Sequence, residues 1–151
     1  MLAMLKLNIE FVKTTDNDWP MILDLEKSEL ENPIYRPITN IEELKKYFSK
    51  SIIYKAVMDK KLTGYCSYDL NEEGAEVTAL LVLKQFRRKG LGELMLKKIL
   101  NDLKSIKKIK IITSPENTIA LRLYLKQGFK ITEWKENYWK GKPRLILYRI
   151  K

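Results

Sequence analysis

Val82-Leu83-Lys84-Gln85-Phe86-Arg87-Arg88-Lys89-Gly90-Leu91-Gly92 joins two segments of different periodicity. The apolar run Val77 to Val82 before it reads as a strand, and Glu93-Leu94-Met95-Leu96-Lys97-Lys98-Ile99-Leu100 after it has helical spacing. A basic, glycine-bearing turn therefore leads from a strand into a helix. The first N–H groups of a helix lack intrahelical partners, and the helix dipole is positive there, so such a turn suits an anion, typically a phosphate. Gly90 and Gly92 let backbone approach a ligand with no Cβ in the way. The spacing Arg-x-x-Gly-x-Gly is neither the phosphate loop of nucleotide hydrolases nor the dinucleotide fingerprint.

Outward from this turn the chain alternates strands and helices. Leu5 to Val12 reads as a first strand. Asp18 is placed to cap a helix through Met21 to Glu26, with Pro20 in its first turn. Glu31 to Pro37 interrupts it. Thr39 with Glu42 and Asn40 with Glu43 are both capping-box patterns, and either starts a helix through Leu44 to Phe48. Ile52 to Met58, Leu62 to Tyr68 and Glu76 to Leu83 read as a three-stranded antiparallel meander, turning at Asp59-Lys60-Lys61 and at Asn71 to Gly74. After the helix that follows Gly92 come a strand at Ile109 to Thr113, a helix after Asn117, and strands at Lys130 to Tyr138 and Arg144 to Ile150. The order is that of an α/β fold with a mixed sheet.

Composition narrows the chemistry. The 151 residues read as one domain, 1–151, with 45% apolar residues and neither repeats nor low-complexity segments. No apolar run is long enough to cross a membrane, and Met1 to Lys6 does not read as a signal peptide. The single Cys66 excludes an internal disulfide, fits a reducing, cytoplasmic setting, and reads as a small buried hydrophobe. With no histidine, a histidine-based triad, a Cys–His dyad and the usual zinc sites are excluded, and no metal is expected. The formal net charge is +10, from 29 Lys and Arg against 19 Asp and Glu. The lysines are scattered rather than gathered in a tail, and the aromatics are not interleaved with them in a binding pattern. The charge therefore points to an anionic small molecule at Arg87-Arg88-Lys89 ahead of nucleic acid.

Arg87 to Gly92 resembles the Gln/Arg-x-x-Gly-x-Gly/Ala signature of the GNAT superfamily of N-acetyltransferases. Downstream, Asn117-Thr118-Ile119-Ala120-Leu121-Arg122-Leu123-Tyr124-Leu125-Lys126-Gln127-Gly128-Phe129 resembles that family's Asn-x-x-Ala-x-x-x-Tyr-x-x-x-Gly-Phe motif at every fixed position. The likeness spans Ile52 to Phe129 and fades toward both ends. It implies a single-domain GNAT fold: a mixed, mostly antiparallel sheet of about seven strands with about four helices. The fourth and fifth strands splay apart to admit the pantetheine arm of coenzyme A.

The resemblance further implies acetyl transfer from acetyl-coenzyme A to a primary amine by direct attack. Its pyrophosphate would rest on Arg87, Arg88, Lys89, Gly90, Leu91 and Gly92. A backbone N–H near Leu81 or Val82 would polarise the thioester carbonyl, freed by a bulge there. Asn117 would contact the pantetheine arm, and it is also a good helix N-cap. Tyr124 would protonate the departing thiolate, or else pack on an amphipathic helix. Gly128 and Phe129 read as a helix C-cap and a packed ring.

For the base, Glu76 is the best-placed carboxylate, eleven residues before Arg87 where some GNAT enzymes carry a glutamate, and otherwise a solvated residue at a strand start. On a period-2 pattern it shares a face with Thr78, Leu80 and Val82. Glu72 and Glu73, in the turn, are poorer candidates. The acceptor side would be formed by Glu26, Glu29, Glu31, Tyr35, Trp134, Tyr138 and Trp139. There the three glutamates form an exposed helix end able to attract a cationic amine. Asn137-Tyr138-Trp139 resembles the paired aromatics in the last hairpin of protein N-terminal acetyltransferases, which puts a protein or peptide amine slightly ahead of a small, polyamine-like one. A sensor module that binds acyl-coenzyme A without turnover is the alternative of a different class. Neither the acceptor's identity, nor the acyl length, nor the oligomeric state is written in these motifs.

Overall fold

A computed structural model describes residues 8–151. Seven strands, β1 (Ile9–Lys13), β2 (Ile52–Met58), β3 (Lys61–Asn71), β4 (Gly74–Val82), β5 (Lys108–Thr113), β6 (Lys130–Trp139) and β7 (Lys142–Ile150), form one sheet in the order β1-β2-β3-β4-β5-β7-β6. Four helices, α1 (Trp19–Lys27), α2 (Ile41–Tyr47), α3 (Leu91–Asp102) and α4 (Thr118–Lys126), cover it. This is the mixed, mostly antiparallel GNAT architecture that the motifs imply. The first strand begins at Ile9, and the part of its expected range before Asn8 lies outside the described residues.

Local chemistry explains most boundaries. Of the two possible caps of α2, Asn40 takes the role: its side chain accepts from the N–H groups of Glu42 at 2.8 Å and Glu43 at 3.2 Å. Asp18 stands just before α1 but does not cap it. Its carboxylate turns back to accept from the Thr15 N–H at 2.8 Å and pairs with Lys55 at 3.1 Å. The β2–β3 hairpin is closed by Asp59 and Lys60 at φ 50° and 65°, the left-handed pair that a two-residue turn demands. In α3, Leu91, Met95, Leu96, Ile99 and Leu100 are all buried, a stripe at helical spacing that lies on β3 and β4. Each such side chain contributes up to about 1.5–3 kcal/mol. Leu96, Ile99, Ile109, Leu147 and Phe129 belong to the core on this face. A smaller core of Ile22, Leu25, Leu44, Phe48, Tyr65 and Leu81 lies on the opposite face, under α1 and α2. Cys66 is fully buried, and burial pushes its thiol up to about 12, so it is an inert core group.

Two irregularities position the site. β4 and β5 pair in parallel only at Ala75↔Ile109, Glu76↔Lys110 and Val77↔Ile111, after which β4 runs on to Val82 without β5 beside it. Beyond Val77 the two strands splay. On its other edge β4 stays paired with β3, but Ser67 faces Ala79 while Tyr68 faces Val77, so Thr78 is an extra, bulged residue. Its hydroxyl shares a 2.6 Å hydrogen bond with Ser67. The bulge thus falls at Thr78, not at Leu81 or Val82, and it shifts the side-chain alternation by one. Ala75, Val77, Leu80 and Val82 pack toward α3, while Ala79 and Leu81 pack toward α1 and α2. Glu76 alternates with Val77 and so points to the α1–α2 face. The expectation that it shares a face with Leu80 and Val82 fails, because a strict period of 2 cannot survive an inserted residue.

Candidate active site

The turn before α3 is built around backbone. Gly90 is the N-cap at φ 79°, a left-handed conformation, and no side chain caps the helix. The first free N–H groups of α3 therefore face outward. A Cβ at Gly92 would meet only Leu123, at an ordinary 3.8 Å, so nothing within the protein requires glycine there. Buried Leu91 pins the start of the helix. Arg87, Arg88 and Lys89 are all exposed, but the Arg87 side chain is tied to two partners. Its Nε donates to the Val82 carbonyl at 2.9 Å and its Nη2 to the carboxylate of Glu29. Arg87 ties the end of β4 to α1's trailing loop, which leaves Arg88, Lys89 and the N–H groups at the start of α3 without such ties.

Strand alternation sorts the amides of β4. Leu83 donates to the Thr63 carbonyl of β3 at 2.8 Å, which directs the N–H of Leu81 to β3 as well. The N–H groups of Leu80 and Val82 point the other way, into the splay. Leu80 and Val82 thus offer their N–H groups to the splay, while Leu81 contributes a buried side chain to the α1–α2 core.

A cavity of about 670 Å³ runs through the splay. From the α3–α4 side it reaches Tyr124 and Asn117; on the other side it is lined by Glu76, Tyr35, Tyr138 and Arg144. Tyr124 is nearly buried, its ring 6.1 Å from Phe129. Its hydroxyl has no hydrogen-bond partner among the described residues. Burial raises its pKa above the usual value. Asn117 caps α4, its Oδ1 accepting from the Ala120 N–H at 3.2 Å, and still lines the cavity. Both roles read from the sequence are therefore compatible. Glu76 is partly shielded. Burial raises its pKa, Lys110 at 3.9 Å lowers it, and Asp69 opposes Lys110, with a net upward shift.

The acceptor side differs from expectation. Glu26 and Glu29 are not an exposed acidic patch. Glu26 is 2% exposed and saturated: it accepts from the Tyr35 hydroxyl at 2.6 Å, the Tyr65 hydroxyl at 2.8 Å and the Ile38 N–H at 3.1 Å. Glu29 is held by Arg87 and by Asn32 at 2.8 Å. Only Glu31 is exposed, and it does not line the cavity. Of the aromatics, Tyr138 reaches the cavity, Trp134 donates to Glu136 at 2.8 Å, and Trp139 has Arg36, Lys140 and Lys142 over its ring. Sequence reading missed Arg144, a nearly buried guanidinium in the cavity wall. The one signal it gave was a charge set against the continuous apolar run Leu145-Ile146-Leu147.

No helix among the described residues is long and apolar enough to cross a membrane. The chain is 30% identical over 102 residues to the UPF0157 protein YqkA of Bacillus subtilis (strain 168), a match covering 60% of this chain and 30% of that protein. It thus spans about 30% of the length of the curated relative it matches. The fold superposes with a TM-score of 0.81 and 15% identity on the ribosomal-protein-S18-alanine N-acetyltransferase from Escherichia coli, over 94% of this chain and 93% of that one. It matches a GNAT family acetyltransferase from Elizabethkingia anophelis, solved with acetyl-CoA bound, with a TM-score of 0.78 and 24% identity over 97% and 100% of the two chains. Residues 19–129 match the family model of the acetyltransferase (GNAT) family, and with the two motifs, the splayed strands and the open helix N-terminus in place, the chain belongs to that family.

Proposed function

We propose that residues 1–151 act as one N-acetyltransferase domain that moves an acetyl group from acetyl-coenzyme A to a primary amine by direct attack. The observation that carries this reading is the single cavity through the splay. It brings Tyr124 and Asn117 from one face of the sheet to the same space as Glu76 from the other.

Acetyl-coenzyme A supplies the activated thioester. The N–H groups at the start of α3, with Arg88 and Lys89 beside them, hold its pyrophosphate, and the space beside Gly92 admits it. Asn117 meets the pantetheine arm. The inward N–H of Val82 or Leu80 takes up the charge that develops on the carbonyl oxygen. The amine nitrogen bonds to the carbonyl carbon and the carbon–sulfur bond breaks. Tyr124 gives its proton to the sulfur and is re-protonated from the solvent that takes up the proton the nitrogen loses. Glu76 lies three strand levels back from Leu80, roughly 10 Å along β4 once the bulge is skipped, so it draws the amine proton through water. Free-thiol release from acetyl-coenzyme A, assayed against a panel of amines, tests the reading. Acetyl-coenzyme A binding with no thiol release from any amine would favour a sensor, and absence of binding would end the proposal.

A further inference from the structure

Arg144 is an unpaired cation in the cavity wall. It is 8% exposed, and its one hydrogen bond runs from Nη1 to the carbonyl of its neighbour Pro143 at 2.9 Å. No carboxylate lies within 4.0 Å of it among the described residues, and the nearby acids are otherwise placed. Glu26 is saturated by three donors, Glu29 is held by Arg87 and Asn32, and Glu76 faces Lys110. Glu116 lines a second, smaller cavity together with Arg144 and acts on it through space, without an ion pair. No buried side-chain nitrogen in the described residues is both sealed from solvent and unpartnered, so the free N–H groups of Arg144 reach open space, and Arg144 lines the central cavity as well as the smaller one. Arg36, stacked on Trp139, adds a second positive charge to the same wall. A nearly buried guanidinium with free donors is costly unless an anion completes it, and a planar carboxylate is its best geometric match.

Register fixes where that anion would sit. Leu145 pairs with Thr113 at the end of β5. Carried past Val77↔Ile111, with the bulged Thr78 skipped, the β4–β5 register brings Leu80 level with Thr113. Arg144, next to Leu145, therefore stands across the splay from the Leu80–Leu81 peptide, beside the place where the amine meets the thioester. We propose that Arg144 recognises a carboxylate carried by the acceptor, so that the acceptor is a small amino acid-like amine. Glu76 and Arg144 then share a zwitterion, the one serving its ammonium end and the other its carboxylate. The inference rests on the acetyltransferase reading above.

The test compares free amino acids with the matching amino acid amides and with spermidine, using the intact chain and thiol release. Free acids should exceed their amides by about 10²-fold in kcat/KM, the range for losing one partner of a desolvated charged hydrogen bond. Arg144→Ala should erase that preference while calorimetric affinity for acetyl-coenzyme A stays unchanged, and Arg144→Lys should restore part of it. The wild-type comparison stands even if a variant fails to fold. Amides or spermidine turned over as well as the acids would overturn the inference and leave the acetyltransferase reading intact. So would an Arg144→Ala loss equal for acids and amides. Acetyl-coenzyme A binding without turnover of any amine would end both.

Discussion

On the α3–α4 side of the sheet, the groups proposed to meet the cofactor come from two short stretches, 87–92 and 117–124, of which Asn117 and Tyr124 line the cavity. On the α1–α2 side they are Tyr35, Arg36, Glu76, Tyr138 and Arg144, scattered over most of the chain. The first side works with backbone: a left-handed N-cap, a glycine that nothing internal requires, a helix N-terminus and a cap. Such features are fixed by spacing within a few residues. The second side works with side chains whose roles depend on which partners the fold has already consumed. Glu26 and Arg87 carry full charges and look available in the sequence, yet both are taken up internally. Arg144 lies inside a strand and looks structural, yet it is a nearly buried cation with no ion pair among the described residues.

The contrast can be tested by cutting each side separately. Tyr124→Phe removes one hydroxyl from a pocket of unchanged volume, so turnover should fall by roughly 10²-fold or more while calorimetric affinity for acetyl-coenzyme A holds. A mutant with near-normal turnover would hand protonation of the thiolate to water. Gly92→Glu puts a side chain and a negative charge beside the α3 N-terminus. It should weaken acetyl-coenzyme A by about 10²-fold, or about 2.7 kcal/mol, with an unchanged circular dichroism spectrum. Unaltered affinity would remove the turn from the site.

Arg87→Ala should act on stability instead. It strands the buried Glu29 carboxylate and should lower unfolding free energy by about 1–3 kcal/mol in urea titrations, with the cofactor affinity of the folded fraction barely moved. The reverse result would return Arg87 to the phosphate-binding set. Smallest is Glu76→Gln, whose effect depends on pH. The raised carboxyl pKa means that the wild-type base forms only at a pH above that of a free glutamate, so the wild-type rate should climb through that range and the mutant's should not. Near neutral pH we expect a loss of about tenfold. It should vanish as pH nears the amine's own pKa, about 8 for an α-amine and about 10.4 for a lysine. Profiles parallel at all pH values would make Glu76 a binding or structural group.

The order of strands and helices was legible because hydrophobic period, turn residues and caps act locally. The motif residues from Arg87 to Gly92 and Asn117 to Phe129 placed the helix N-terminus and Tyr124 for the same reason. The sequence also offered Thr39 and Asn40 as rival caps, and only the packed backbone chose Asn40. Placement of the bulge was not legible. Thr78 is an unremarkable residue in a good strand, and its insertion is decided by how β4 matches β3, a pairing between separate stretches of chain. That one residue moved Glu76 to the opposite face from Leu80 and Val82.

By itself, then, the amino-acid sequence determined the elements, the glycine turn that opens α3 and the family, since each is encoded within a dozen or so neighbouring residues. The tertiary structure alone decided which charges are spent and which are free. Glu26 meets Tyr65, Glu29 meets Arg87, and Arg144 meets no carboxylate among the described residues, because pairing between charges is settled by distance in space, on which separation along the chain has no bearing.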